Sequence, residues 1–113
     1  MDDRFSGAHI VKKANVYHNG QCTSRTVITA EGEMKTLGII LPGVYRFSTA
    51  APEQMQILAG RGRYKLADDT EWHEIQTGDT FHVPENASFD IEVTELLDYT
   101  CSYGQCGGSG IPV

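Results

Sequence analysis

One stretch decides the fold of this 113-residue chain: GVYRFSTAAPE, residues 43–53, which continues through QMQILAG to Gly60. Its side chains alternate, with Tyr45, Phe47 and Thr49 on one face and polar side chains on the other. A period of two residues is that of a β-strand with one buried face. The stretch therefore predicts a β-strand whose aromatic side chains face a core.

A second stretch, GDTFHVPENASF at residues 78–89, also opens on a glycine and alternates. Together the two stretches resemble the motifs of cupin barrels. Glu53 and Gly60 keep the six-residue spacing of the glutamate and glycine in the first motif, and Gly78 and Pro84 fit the second. The resemblance implies an all-β, single-domain cupin, that is, a double-sheet jelly-roll barrel.

The histidines that bind metal in cupins are missing from this chain. Thr49 and Ala51 stand at the histidine positions of the first motif, and Phe89 replaces the histidine of the second. A transition-metal site needs about three imidazole or carboxylate ligands, which Glu53 alone cannot supply. We therefore predict no metal and no other cofactor, and note His82 as the histidine inside the second motif.

The composition restricts the partners. Nine basic against fifteen acidic residues give a formal charge of -6, which argues against nucleic acid because phosphate-backbone binding needs a basic face. No apolar run approaches twenty residues and no leader follows Met1, so we expect no membrane association and a cytoplasmic protein. The three cysteines have no metal-finger spacing and are expected to be reduced thiols.

Turn signals divide the chain into about nine or ten short strands with little helix. Asn19-Gly20 predicts a hairpin turn, and residues 22–30 and 36–41 predict a hairpin. Gly60-Arg61-Gly62 separates two strands, and residues 89–93 and 99–103 alternate as two more.

We divide the chain into a barrel domain and a tail. Residues 1–103 form the cupin β-barrel domain, within which residues 1–19 lead into the barrel or add an edge strand. Residues 104–113 form a tail that holds four of the twelve glycines. Such a tail is expected to be mobile or to dock on a partner subunit.

Further motifs resemble those of the pyrimidine/purine nucleoside phosphorylases, a family of small metal-free bacterial cupins. They extend from about residue 23 to residue 103 and read TSR at 23–25, TLGI at 36–39, PGxYxFxT at 42–49, PExM at 52–55, Trp72, FxVP at 81–84, SF at 88–89 and YxCxY at 99–103. The resemblance implies a metal-independent homodimeric enzyme. Such an enzyme cleaves the N-glycosidic bond of purine and pyrimidine nucleosides with inorganic phosphate, giving ribose 1-phosphate and free base.

Chemistry suggests which residues carry that reaction. Arg25, in the TSR segment, is our predicted phosphate ligand, because a guanidinium donates two hydrogen bonds to one anion; Ser48 and Thr49 are predicted to assist it. Phosphorolysis passes through a cationic sugar. Glu53 is therefore the predicted catalytic carboxylate, together with Arg25, and either binds the ribose hydroxyls or stabilises the cation.

The nucleoside is assigned to aromatic side chains of the two motifs and the last strand. Phe89 offers a face on which any base can stack, which suits broad base tolerance. Tyr45, Phe47 and Tyr103 complete the predicted nucleoside site. The hydroxyl of Tyr103 is expected to contact the sugar or the base.

Other functions are compatible with the same residues. One is a non-catalytic small-molecule-binding cupin or sensor, since fold does not fix function. A second is an isomerase or lyase with a metal held by His82 and Glu53. A third is a nucleophilic hydrolase on Cys22 or Cys101. The sequence leaves three questions open: which nucleoside is preferred, which arginine binds phosphate, and whether the site crosses a dimer interface.

Overall fold

The computed structural model describes residues 3–104, so most of the predicted tail lies outside the described residues. Nine β-strands make up most of this range, and the helical structure within it is one 3-10 turn, His18–Gly20. The strands are β1 His9–Ile10, β2 Asn15–Tyr17, β3 Cys22–Ile28, β4 Met34–Ile40, β5 Gly43–Ser48, β6 Glu53–Leu66, β7 His73–Gln76, β8 Thr80–Val83 and β9 Ser88–Tyr103.

Two long strands, β6 and β9, pair with each other along their length and run through both halves of the barrel. Each half consists of one part of both long strands and the shorter strands that pair with that part. The first half of β6 pairs with β8 and with the end of β9, which in turn pairs with β4. The second half of β6 pairs with β7 and with the start of β9, which in turn pairs with β5. Beyond β4, strand β3 pairs with the short edge strands β1 and β2.

The predicted break at Gly60-Arg61-Gly62 is wrong, because β6 continues through it with shifts in register against β9. Gly60 has a φ of +105°, and a Cβ on it would lie 2.1 Å from the backbone oxygen of Leu96. A Cβ on Gly62 would lie 2.3 Å from the backbone oxygen of Glu92. The two glycines therefore let the strand bend from one half to the other while it stays paired.

The same correction applies to β9, which was expected as two strands and is one strand of sixteen residues. Three other expectations are confirmed. The β3–β4 hairpin forms, β2 and β3 form a hairpin across Asn19, and β1 pairs at the edge of the sheet. Asn19 has a φ of +56°, a left-handed conformation that asparagine tolerates better than most residues.

The core lies between the two halves and contains aromatic side chains from both. Tyr64 stacks on Phe81 with centroids 4.1 Å apart, Phe81 meets Phe89 edge to face, and Phe89 stacks on Phe47 at 5.7 Å. Buried aromatic pairs of this geometry stabilise a fold beyond the area they bury. Among the described residues, no helix has the length and hydropathy needed to span a membrane.

Candidate functional site

Glu53 is the most unusual side chain of the barrel, because it is a carboxyl group in the core. It is the first residue of β6, pairs with Tyr103 of β9 and Val83 of β8, and is only 3% exposed. Burial raises its pKa to about 7, and a hydrogen bond from Cys101 opposes that rise. Near neutral pH the side chain is therefore present both as carboxyl and as carboxylate.

Polar side chains from neighbouring strands surround this carboxyl group. The Cys101 thiol donates to Glu53 Oε1 across 3.7 Å, and the hydroxyls of Thr36 and Tyr103 are 2.9 Å apart. Burial, and after it the charge of Glu53, raises the pKa of the Tyr17 phenol on β2. The end of the barrel at which β6 begins is thus a polar site within an apolar core.

A groove of about 420 Å³ opens at this end of the barrel, and we call it the rim groove. Its lining combines Glu53 and Tyr103 with the polar side chains of Gln54, His82 and Ser102. The other lining residues are Pro52, Val83, Pro84 and Gly104. The Nζ of Lys35 donates a 2.8 Å hydrogen bond to the Oγ of Ser102, one of the lining residues.

The aromatic residues predicted to bind the nucleoside fall into two groups. Tyr103 is half-buried and lines the rim groove next to Glu53, as the proposed role requires. Phe89 and Phe47 are buried and stack on each other, and the buried Tyr45 donates its hydroxyl to the backbone oxygen of Leu41 at 2.8 Å. The geometry of these three gives them a packing role.

The predicted phosphate ligands are not brought together. Thr49 donates its hydroxyl to Pro84 O at 2.6 Å and accepts from Ala87 N at 3.1 Å, so both capacities hold the β8–β9 loop. Ser48 is exposed and alternates with the buried Phe47. The two hydroxyls therefore do not converge on one phosphate position, since that of Thr49 bonds backbone groups and that of Ser48 lies on the outer face.

Arg25 also lies away from Glu53. It follows the buried Ser24 on β3, so the pleat of the strand directs it to the outside, where its Nε donates to Lys12 O at 3.2 Å. There it lines a groove of about 220 Å³ that we call the Arg25 groove, with Thr23, Ser24, Leu37, Gly38, Ile39 and Asp98. The two predicted catalytic residues, Arg25 and Glu53, therefore line different grooves.

The positions of the missing metal ligands are buried. Thr49, Ala51 and Phe89 are 7%, 4% and 1% exposed, so small or apolar side chains fill these places. Residues 3–104 contain no group of three histidine, cysteine or acidic side chains close enough to hold a metal ion. His82 pairs with Gln54 on the outer face, whereas Glu53 points inward, so these two do not converge as ligands.

Sequence reasoning missed Cys101, Thr36, Tyr17 and Lys35 as neighbours of the site. Cys101 was considered as a nucleophile, in the alternative hypothesis of a hydrolase, and not as a neighbour of Glu53. Its place between Tyr99 and Tyr103 in an alternating strand put it on their face, but nothing in the sequence shows that Thr36 pairs with it or that Glu53 lies diagonally opposite.

The fold and the site define a class: a small cupin barrel with a buried carboxyl group at its rim. A structure of a protein of unknown function (DUF1255) from Acinetobacter has a TM-score of 0.86 and 44% identity, covering 89% of this chain and 98% of its own. Another, from Acidithiobacillus ferrooxidans, has a TM-score of 0.75 and 33% identity, covering 83% of this chain and 89% of its own.

The sequence comparisons give the family. A profile described as pyrimidine/purine nucleoside phosphorylase matches residues 12–103. Proteins of that name are 52% identical over 101 residues in Cupriavidus metallidurans, covering 89% of this chain and 98% of the relative, and 50% identical over 100 residues in Burkholderia vietnamiensis, covering 88% and 94%. The chain belongs to the pyrimidine/purine nucleoside phosphorylase family.

Proposed function

We propose that this protein is a nucleoside phosphorylase that cleaves purine and pyrimidine nucleosides with inorganic phosphate. The products are ribose 1-phosphate and the free base. Family membership over residues 12–103 supports the reaction class. The single structural observation that supports a site is Glu53, a buried carboxyl group with a pKa near 7 beside the rim groove.

The proposed role of Glu53 follows from the charge that develops in the reaction. The bond between C1′ and the base nitrogen breaks with its electron pair leaving on the base, and a phosphate oxygen forms the new bond to C1′. The base takes up one proton. Between these events the sugar is cationic, and a carboxylate in a low-dielectric site stabilises such a cation more than it would in water. The ribose hydroxyls would donate to the same carboxylate.

Phosphate needs a cation, and two are proposed. Arg25 is the ligand predicted from the sequence, but its groove lies on the outer face. Lys35 is supported by its hydrogen bond to Ser102, a residue that lines the rim groove, and it shares the outer face of the strands with Ser102, Gln54 and His82. We favour Lys35, because it contacts a residue of the groove that Glu53 lines, whereas Arg25 lines a separate groove.

The proposal includes a cytoplasmic homodimer that needs no metal or cofactor, with phosphate as co-substrate. The support is the resemblance to the family together with the motif positions that Thr49, Ala51 and Phe89 occupy. Light scattering on the purified protein tests the dimer. Activity in excess chelator tests the metal independence.

The experiment measures free-base release from inosine and from uridine, each with and without phosphate. We expect release from both, dependent on phosphate and resistant to chelator, with one ribose 1-phosphate formed per base. Glu85→Gln, an exposed carboxyl change, is the matched control for Glu53→Gln. No release from either nucleoside would contradict the proposal and favour a small-molecule-binding cupin. Release lost on chelation would point to a metal-dependent enzyme.

A further inference from the structure

We propose that Cys101 is a positioning residue for Glu53, and that its thiol holds the carboxyl group by donating a hydrogen bond to Oε1. The two side chains are 0% and 3% exposed and their atoms are 3.7 Å apart. The catalytic part of this inference rests on the proposed function. The hydrogen bond itself does not.

The position of the two residues follows from strand register. Cys101 of β9 pairs with Met55 of β6, and Tyr103 pairs with Glu53. Cys101 and Glu53 are therefore diagonal neighbours on the inner face of two paired strands, a separation that side chains bridge. Both strands have partners on both sides here, β4 beyond β9 and β8 beyond β6, so the backbone holds the donor and the acceptor in place.

The Cys101 sulfur also receives hydrogen bonds from Tyr103 and Thr36. The pKa of its thiol is raised to about 12, first by burial and then by the charge of Glu53, while hydrogen bonds from Tyr103 and Thr36 act in the opposite direction. A continuous set of contacts thus runs from the hydroxyls of Tyr103 and Thr36 through the thiol to Glu53. Tyr103 lines the rim groove, where a substrate would enter.

Among the buried acidic groups whose pKa is raised, Glu53 is the one that changes charge near neutral pH. Burial raises the pKa of Tyr17 on β2, Cys22 on β3, and Tyr99 and Cys101 on β9, that of Cys22 to about 11. Val83 of β8 and Thr36 of β4 bring no charge. Cys101 therefore remains a thiol, and a donor, whether Glu53 is protonated or ionised. A donor to the ionised form favours it and lowers the carboxyl pKa.

A packing role for Cys101 is the competing explanation, because the same thiol lies 3.8 Å from Ser102 O. Cys22 is the matched control, since it is a buried thiol of the same core at 1% exposure. It differs in that no hydrogen bond to Glu53 contributes to its pKa. Removing either sulfur leaves a similar void, but only one change removes a donor to the carboxylate.

The test is a carbon-13 NMR titration of the Glu53 carboxyl group in the wild-type protein, Cys101→Ala and Cys22→Ala. We expect the Glu53 pKa to rise by about one unit in Cys101→Ala, because a donor to the carboxylate is lost, and to be unchanged in Cys22→Ala. An unchanged pKa in Cys101→Ala, or equal shifts in both variants, would overturn the inference.

A second measurement needs no cysteine variant and covers the case in which Cys101→Ala does not fold. The S–H stretching band of a thiol moves to lower frequency as its hydrogen bond strengthens. We expect one band of the wild-type protein to do so as Glu53 ionises, and no band to move in Glu53→Gln over the same pH range. Wild-type bands that all stay fixed would overturn the inference.

Activity separates this inference from the function on which it builds. In an active enzyme, the acidic limb of the kcat/KM profile, which reports the free enzyme, is expected to move to higher pH in Cys101→Ala by the amount that NMR measures, and not to move in Cys22→Ala. An NMR shift in a protein without phosphorolysis would refute the proposed function and leave the hydrogen bond established. A kcat/KM limb that stays fixed while the NMR pKa moves would overturn the positioning role.

Discussion

The rim groove and the Arg25 groove both carry a residue that the sequence marks for catalysis, but they differ in what surrounds that residue. Glu53 is buried, paired across strands and in contact with a thiol. Arg25 is exposed, with a backbone carbonyl 3.2 Å from its Nε. A charge taken out of water changes its chemistry, whereas a charge in water keeps it. The comparison therefore favours the rim groove as the catalytic end of the barrel.

The largest expected effect tests that preference directly. Glu53→Gln keeps the shape of the side chain and removes its charge, so kcat is expected to fall by about 100- to 1,000-fold, as when one group that stabilises transition-state charge is lost. Steady-state kinetics with inosine measures it, and an unchanged circular dichroism spectrum shows that the barrel is intact. A kcat within twofold of wild type would remove Glu53 from the mechanism.

The next effect is on stability and depends on pH. The folded pKa of Glu53 is about 7 against an ordinary value of 4.5, so burial favours the protonated form. Its contribution to stability is fully present below about pH 4.5 and is lost as the pH rises through about 7. From about pH 4.5 to pH 8 the wild-type protein is expected to lose about 3 kcal/mol relative to Glu53→Gln.

Urea unfolding of both proteins at a series of pH values measures this difference. Glu85→Gln is the control, because the exposed Glu85 is expected to give curves that run parallel to those of the wild type. If the Glu53→Gln and wild-type curves ran parallel as well, burial would not be raising the pKa of Glu53.

A smaller effect compares the cations of the two grooves. We expect Lys35→Ala to raise the KM for phosphate about tenfold, the loss of one charge-assisted hydrogen bond, and Arg25→Ala to raise it less. The measurement is the rate at fixed inosine with phosphate varied. The reverse order would support Arg25 as the phosphate ligand, as predicted from the sequence. Phosphate would then bind in the Arg25 groove, or Arg25 would contribute to the site of another chain.

The smallest effect concerns the hydroxyl of Tyr103 beside Thr36. Tyr103→Phe keeps the ring in the rim groove and removes the hydroxyl, so kcat/KM for uridine is expected to fall about threefold to tenfold, consistent with one neutral hydrogen bond. Thr36→Val is the companion variant, and the two losses are expected not to add, because both remove the same contact. Fully additive losses would show that the two hydroxyls act separately.

Much of the fold could be predicted from local patterns. Alternation places Tyr45 and Phe47 on one face of β5, and turn residues delimit the β3–β4 hairpin. The length of β6 could not be predicted, because glycines at residues 60 and 62 fit a turn as well as a bulged bend. The choice depends on Leu96 and Glu92, whose backbone oxygens approach those glycines from β9.

The sequence by itself determined the barrel class, the family motifs and the choice of Glu53 as the candidate catalytic carboxyl group. These depend on spacing along one strand or between neighbouring turns. Only the tertiary structure decided which side chains meet Glu53. Cys101 lies 48 residues away from it, and Lys35 and Thr36 are each 67 residues from the β9 partners that connect them to the site. Alternation assigns a side chain to a face, but register assigns its neighbours, and register is set by the packing of the whole barrel.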